Sequence, residues 1–251
     1  MYCKILNLVL LTAVTFLSAC GPAEVPAVSD SDTSSAVAEA PQVVPIAAAK
    51  EASPASPVGR RDAQEMVAAG FKRYGLEKGV LLFRVDGAMK GMDALYFDHW
   101  GWREGKHNMT DAEVGAYRKK DRSVQYLDGE RRYQYEPDEN TAYFFESRQV
   151  QAAADRYGTL DMTIVGDEMI KNMGGVPAGQ AEVMGVTCDI WLIEKTRTTL
   201  YMWKGITMKE HSFTNNIPVT RRCVLLDTTG GIDLEKMILP EEAKLENVGL
   251  Q

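Results

Sequence analysis

The 251-residue sequence predicts an α+β domain built on an antiparallel sheet, and three observations carry that reading. Short runs of tyrosines and aliphatics alternate with charged residues, the period of strands with one covered face and one wet face. Asp128-Gly129 stands between two such runs and is the strongest short-range hairpin signal. One stretch, residues 148–173, leaves that pattern for helical composition and so interrupts the strands.

Ahead of this domain lies an apolar run from Ile5, preceded by Lys4 and closed by Leu17-Ser18-Ala19-Cys20. The composition then changes abruptly to small and polar residues, the layout of a cleaved export signal. The run is about 15 residues, where a membrane span needs about 20. The Leu-Ser-Ala-Cys box resembles the bacterial lipoprotein signal, which implies that Cys20 is acylated with palmitate-type chains and becomes the first mature residue. Residues 20–59 follow as an Ala/Pro/Ser linker without period, for example Ala52-Ser53-Pro54-Ala55-Ser56-Pro57. As a coil it reaches about 35 Å. The organisation expected is a signal peptide over 1–19, lipidated Cys20 and linker over 20–59, and one folded domain over 60–251, about the size that supports a single core.

The formal charge is -7, and residues 1–60 hold three basic against five acidic groups, so -5 falls on the remainder. An acidic domain is a poor partner for nucleic acid.

Taken in order, Asp62 caps a first helix in which Ala63, Met66, Val67, Gly70, Phe71 and Tyr74 recur at helical spacing until Gly75. Strands are expected over residues 79–86, 92–100 and 102–109, then 123–127 and 130–135 around Asp128-Gly129, and 141–145 after the Pro137–Asn140 turn. Residues 148–156 and 162–173 read as one or two helices ended by Gly174-Gly175. The strand pattern resumes over 186–193, 199–206, 208–213 and 219–226 before a polar end.

Cys188 and Cys223 remain as thiols once Cys3 leaves with the signal and Cys20 takes lipid. In an oxidising compartment they either form a disulfide or sit buried and unpaired. No G-x-S-x-G, H-E-x-x-H or phosphate loop occurs, and His99, His107 and His211 are scattered, so no catalytic residue, metal site or cofactor is expected. A metal held by His99, His107 and Asp98 across a hairpin is the weaker alternative to ordinary turn and strand histidines. Met162, Met169, Met173 and Met184 cluster around the helical insertion, where adaptable methionine side chains either fill a core or meet a ligand. Strand aromatics such as Tyr96, Phe97, Tyr126 and Tyr143 either pack or line a cavity.

Four short motifs recur in a known order: Tyr74-Gly75-Leu76, Gly91 with Tyr96-Phe97-Asp98, Gly185 ahead of Cys188-Asp189-Ile190-Trp191, and Trp203-Lys204-Gly205-Ile206. Across about residues 66 to 240 they resemble uncharacterised exported bacterial lipoproteins related to the LolA/LolB lipoprotein-carrier superfamily. Cys223 stands where a small residue is expected. The resemblance implies a curved antiparallel sheet, an unclosed half-barrel with helices packed in its concave face, that binds acyl chains or other apolar ligands. The function expected is therefore a lipid-anchored protein of the cell envelope, at the outer membrane facing the periplasm, that binds a lipid, acyl chain or lipoprotein and is not an enzyme. Met169, Ile170 and Met173 are its candidate ligand contacts. The alternatives are a protein-protein interaction module that holds an envelope partner by strand addition, and an unrecognised hydrolase. No oligomeric state is read from the sequence.

Overall fold

The computed structural model describes residues 62–114, 117–147 and 149–247, so the signal, Cys20 and the linker lie outside the described residues. Asp62 does cap the first helix, its carboxylate accepting the Gln64 N–H at 2.7 Å. The helix, α1 (Ala63–Ala68), is much shorter than the periodicity predicts. Gly70 adopts φ 96°, and the N–H groups of Gly70 and Phe71 turn back to the carbonyls of Val67 and Met66. This is the Schellman arrangement, which fits glycine because it has no Cβ to clash. The chain then bridges at Lys72 to Asp161 and bends through Arg73 to Gly75, donating from Arg73 and Tyr74 to Trp100 O and from Gly75 to Lys204 O.

The sheet begins with β1 (Gly79–Gly87), β2 (Met89–Asp98), β3 (Arg103–Val114), β4 (Tyr117–Asp121), β5 (Val124–Asp128), β6 (Arg131–Glu136) and β7 (Thr141–Glu146). Two helices, α2 (Gln149–Tyr157) and α3 (Met162–Asn172), carry the chain away. It returns as β8 (Gly175–Val183), β9 (Val186–Ile193), β10 (Thr198–Trp203), β11 (Ile206–Thr214) and β12 (Ile217–Asp227), and closes with β13 (Lys244–Asn247). The order across the sheet is β13-β7-β6-β5-β3-β2-β1-β12-β11-β10-β9-β8, with β4 paired to β3 outside this path. The two meanders are thus joined in the middle, where β1 pairs with both β2 and β12. Among the described residues the strands pair antiparallel except β13 with β7, and the isolated bridge between Lys72 and Asp161 is also parallel. The helices interrupt the sheet as expected, because the chain leaves after β7 and re-enters at the opposite edge as β8. The run read as one strand over 199–206 is instead a hairpin, since Lys204 and Gly205 both take positive φ (51° and 78°).

The expected class holds: a large antiparallel sheet that does not close, with a few helices. It curls, because Ala181–Met184 at the end of β8 and Arg222–Val224 of β12 line one cleft although β9, β10 and β11 lie between them. One core cluster gathers Leu81, Phe83, Leu95, Phe97, Met208 and Cys223 with Tyr74. A second holds α1, α2 and α3 together through Met66, Val150, Met162 and Val165, with Phe71 and Trp102. α3 is fixed to β9 and β10 by Ile170 against Trp191, Ile193 and Leu200.

Candidate functional site

The cleft at the β8–β12 side is open to solvent and spans about 570 Å³. That lies within the range of about 300–1,000 Å³ usual for small-molecule sites. Val183, Met184, Tyr201, Cys223 and Val224 supply its apolar wall, and Glu182, Lys209 and Arg222 its charged groups. Tyr201 and Lys209 are directly paired across β10 and β11, so they share a side, where the Lys209 ammonium stands 4.7 Å from the tyrosine ring centroid. The lining is mixed, with apolar side chains beside two cations and one carboxylate.

A second group of chemistry-bearing residues lies on the other half of the sheet. Glu104, only 5% exposed, accepts from Tyr74 Oη at 2.7 Å through Oε2 and pairs with Lys106 Nζ at 3.1 Å through Oε1. Burial alone pushes the Glu104 carboxyl up, but Lys106, Arg73, the Tyr74 hydrogen bond and Arg132 outweigh it and hold the group down at about 2. Burial and the same carboxylate push the Tyr74 hydroxyl well above its ordinary range. Burial also lowers Lys106, with Arg132 and Arg73 adding to the effect and Glu104 opposing it. Arg73 donates Nε to Gly101 O at 3.2 Å and Arg132 donates Nη2 to Gln149 Oε1 at 3.2 Å. Sequence reading passed over this cluster. Its signal was Glu104-Gly105-Lys106 placing two charges on the face where β2 presents Phe97 and Leu95.

Of the residues singled out from sequence, Cys20 lies outside the described residues. Cys188 and Cys223 are free, buried thiols rather than a disulfide. They share one core cluster, and each donates to a backbone carbonyl of its own strand, Val186 O and Leu225 O respectively. Burial pushes both thiols up, which disfavours the reactive thiolate. Met169, Ile170 and Met173 are not among the cleft residues: Met169 packs with the helix cluster, and Ile170 and Met173 lie between α3 and the sheet. Met184 does line the cleft. Tyr126 and Tyr135 pack with Val124 and Ala142 beneath Leu239 and Ala243 rather than around a cavity. His99 faces Asp98 at 2.9 Å, whereas His107 is held between Tyr96 and Tyr126 with Nε2 against Lys236 O, so the two histidines do not converge. Among the described residues no three His, Cys, Asp or Glu side chains are grouped to hold a metal.

No family model matches the chain, and no curated protein matches it. Solved structures do. An uncharacterized conserved protein from Thermus thermophilus is 9% identical over 74% of this chain and 99% of its own, with a TM-score of 0.44. LprF from Mycobacterium bovis is 9% identical over 72% and 97%, at 0.31. An outer membrane lipoprotein-sorting protein domain from Vibrio parahaemolyticus is 11% identical over 70% and 94%, at 0.24. Likeness at this level assigns neither a family nor a function.

Proposed function

We infer that the chain is a lipid-anchored protein of the cell envelope, at the outer membrane facing the periplasm, whose domain binds a hydrophobic ligand as carrier, chaperone or sensor. The observation that carries this reading is the cleft, whose lining sets Val183, Tyr201 and Val224 beside Lys209, Arg222 and Glu182. An acyl chain there gains about 25 cal/mol for each Å² of apolar surface that it hides, before ordering costs. Val183, Tyr201, Cys223 and Val224 are the ligand contacts in this reading, and exposed Met184 flanks the opening. Ile170 and Met173 serve it indirectly, by holding α3 on the sheet, and Met169 by packing within the helix cluster.

Strand addition finds less support. The exposed edge strand β8 carries Pro177, a register shift between Pro177 and Gln180, and Gly179 at φ 94°, all of which spoil it as a template.

The test is uptake of a dansylated undecanoic acid by the mature chain from residue 20 carrying Cys20→Ala. Saturable binding is expected, with loss of at least about tenfold in Val224→Glu, where a carboxylate would face the probe's own at a site 37% exposed in the native chain. No saturable uptake would remove the hydrophobic-ligand reading. For the anchor, wild-type protein should incorporate labelled palmitate and Cys20→Ala should not. Each buried methylene adds about 0.8 kcal/mol, so two or more chains hold the protein at the membrane. Unlabelled wild-type protein would refute the lipidation.

A further inference from the structure

We propose that Lys209, Arg222 and Arg84 bind a phosphate-type anionic group at the β11–β12–β1 side of the cleft. They take the head group of the cleft's ligand, and for the apolar part of that ligand the site rests on the hydrophobic-ligand reading. Strand register places it. Lys209 of β11 pairs directly with Arg222 of β12, and Arg222 pairs directly with Arg84 of β1, so three cations stand side by side on consecutive strands. Directly paired residues lie on one side of a sheet about 5 Å apart at Cβ, and like charges placed so destabilise it. Tyr201 of β10 continues the row beyond Lys209, and Met92 of β2 continues it beyond Arg84. Lys209 and Arg222 line the cleft; Arg84 and Arg222 are exposed and Lys209 is half-buried.

Counter-charge is what the row lacks. Among the described residues no carboxylate forms an ion pair with any of the three. Arg221, the next residue along, shows the contrast: its Nε meets Asp93 Oδ2 at 2.9 Å and its guanidinium lies over the Phe83 ring at 3.4 Å. Two acids belong to the surroundings without pairing to the row, Glu182 in the cleft lining and Asp86 in the adjoining row opposite Thr220. The positive charge is felt nearby. Burial and then Lys209 hold the His211 imidazole below its ordinary value, and His211 Nδ1 meets Thr220 Oγ1 at 2.9 Å in that adjoining row. The chain as a whole is acidic, with a formal charge of -7, so an uncompensated basic row does not follow from composition. An anion resolves the repulsion that the register builds in. Two guanidinium forks and an ammonium match the several oxygens of a phosphate, where a carboxylate needs only one fork.

The experiment is calorimetric titration of the mature chain carrying Cys20→Ala with inorganic phosphate, octyl phosphate and the neutral octyl glucoside, both amphiphiles below their micelle concentrations. Octyl phosphate is expected to bind at least about tenfold more tightly than octyl glucoside. Arg84→Gln and Arg222→Gln, each checked for native circular dichroism, should lose most of that preference, and Lys195→Gln, at an exposed cation outside the row, should keep it. Tighter binding of octyl phosphate than of inorganic phosphate would assign the anion to the head of an amphiphile. Equal affinity for those two, with octyl glucoside unbound, would assign it to a free phosphate and remove the hydrophobic-ligand reading while the basic row stands. If octyl phosphate and octyl glucoside bind equally, or if Lys195→Gln weakens octyl phosphate as much as the row substitutions do, the anion site is wrong, and octyl glucoside binding then decides the hydrophobic-ligand reading by itself. If no probe binds, both fall.

Discussion

Replacing Glu104 with glutamine should cost about 3–5 kcal/mol of folding stability, because it removes one partner of a buried pair and leaves the other charge uncompensated. For a domain of this size that lowers Tm by about 10 °C or more. The dependence on pH separates this cause from simple loss of packing. The Glu104 carboxyl sits at about 2 in the folded protein against an ordinary 4.5, so its folded value is depressed. Its contribution, about 3 kcal/mol, is therefore fully present above pH 4.5 and is lost as pH falls toward 2. Urea unfolding of wild type and Glu104→Gln should show a wide stability gap at pH 7 that narrows steadily below pH 4.5. A gap that stays constant down to pH 3 would mean that the charge is not what Glu104 contributes.

The sequence made the strands legible where alternation and turn chemistry agree. Asp128-Gly129 does join β5 to β6, and the runs that became β1, β7, β9 and β12 sit within a residue or two of their expected bounds. Three strands escaped for different reasons. β8 reads as a loop because Gly175, Pro177 and Gly179 are poor strand formers, and an exposed, bulged edge strand needs no apolar alternation. β4 is a short, charged strand outside the main path, and β13 exists only through its parallel pairing with β7, which local sequence does not encode.

The candidate sites were less legible than the fold, for a related reason. The cleft draws residues from β8, β10, β11 and β12, and only the curl of the sheet brings them together. The Glu104 cluster needs the register of β2 against β3 and the non-helical, bent path of Arg73 and Tyr74, which the helical spacing of Phe71 and Tyr74 concealed. Methionine count was a weak guide to which residues line the cleft. Met162 is buried in the helix cluster, Met169 packs against it and Met173 lies against the α3–sheet contact, while Met184, in the β8–β9 turn, is the one that reaches the cleft.

Trp102→Ala should produce a destabilisation comparable to that at Glu104 but with a different signature. Trp102 is 2% exposed and lies just before β3, so it joins the sheet to the helix layer. Its ring meets Phe71 edge-on at a centroid distance of 4.8 Å and belongs to the cluster that holds Met66 of α1, Val150 of α2 and Val165 of α3. Few other buried side chains in that cluster come from the sheet side, so deleting the indole removes the surface on which all three helices converge. A buried Trp→Ala change costs about 3–5 kcal/mol, with a drop in Tm of about 10 °C or more. Because the loss is apolar, it should be nearly independent of pH between 7 and 3, unlike that of Glu104→Gln. Hydrogen exchange should locate it as well: amides of α2 and α3 should exchange faster by a larger factor than those of β1 and β12, whose core cluster around Phe83 and Met208 does not include Trp102. Uniform loss of protection across the helices and both central strands would show instead that the helix layer and the sheet unfold as one unit, and that Trp102 is not the hinge of a separable layer.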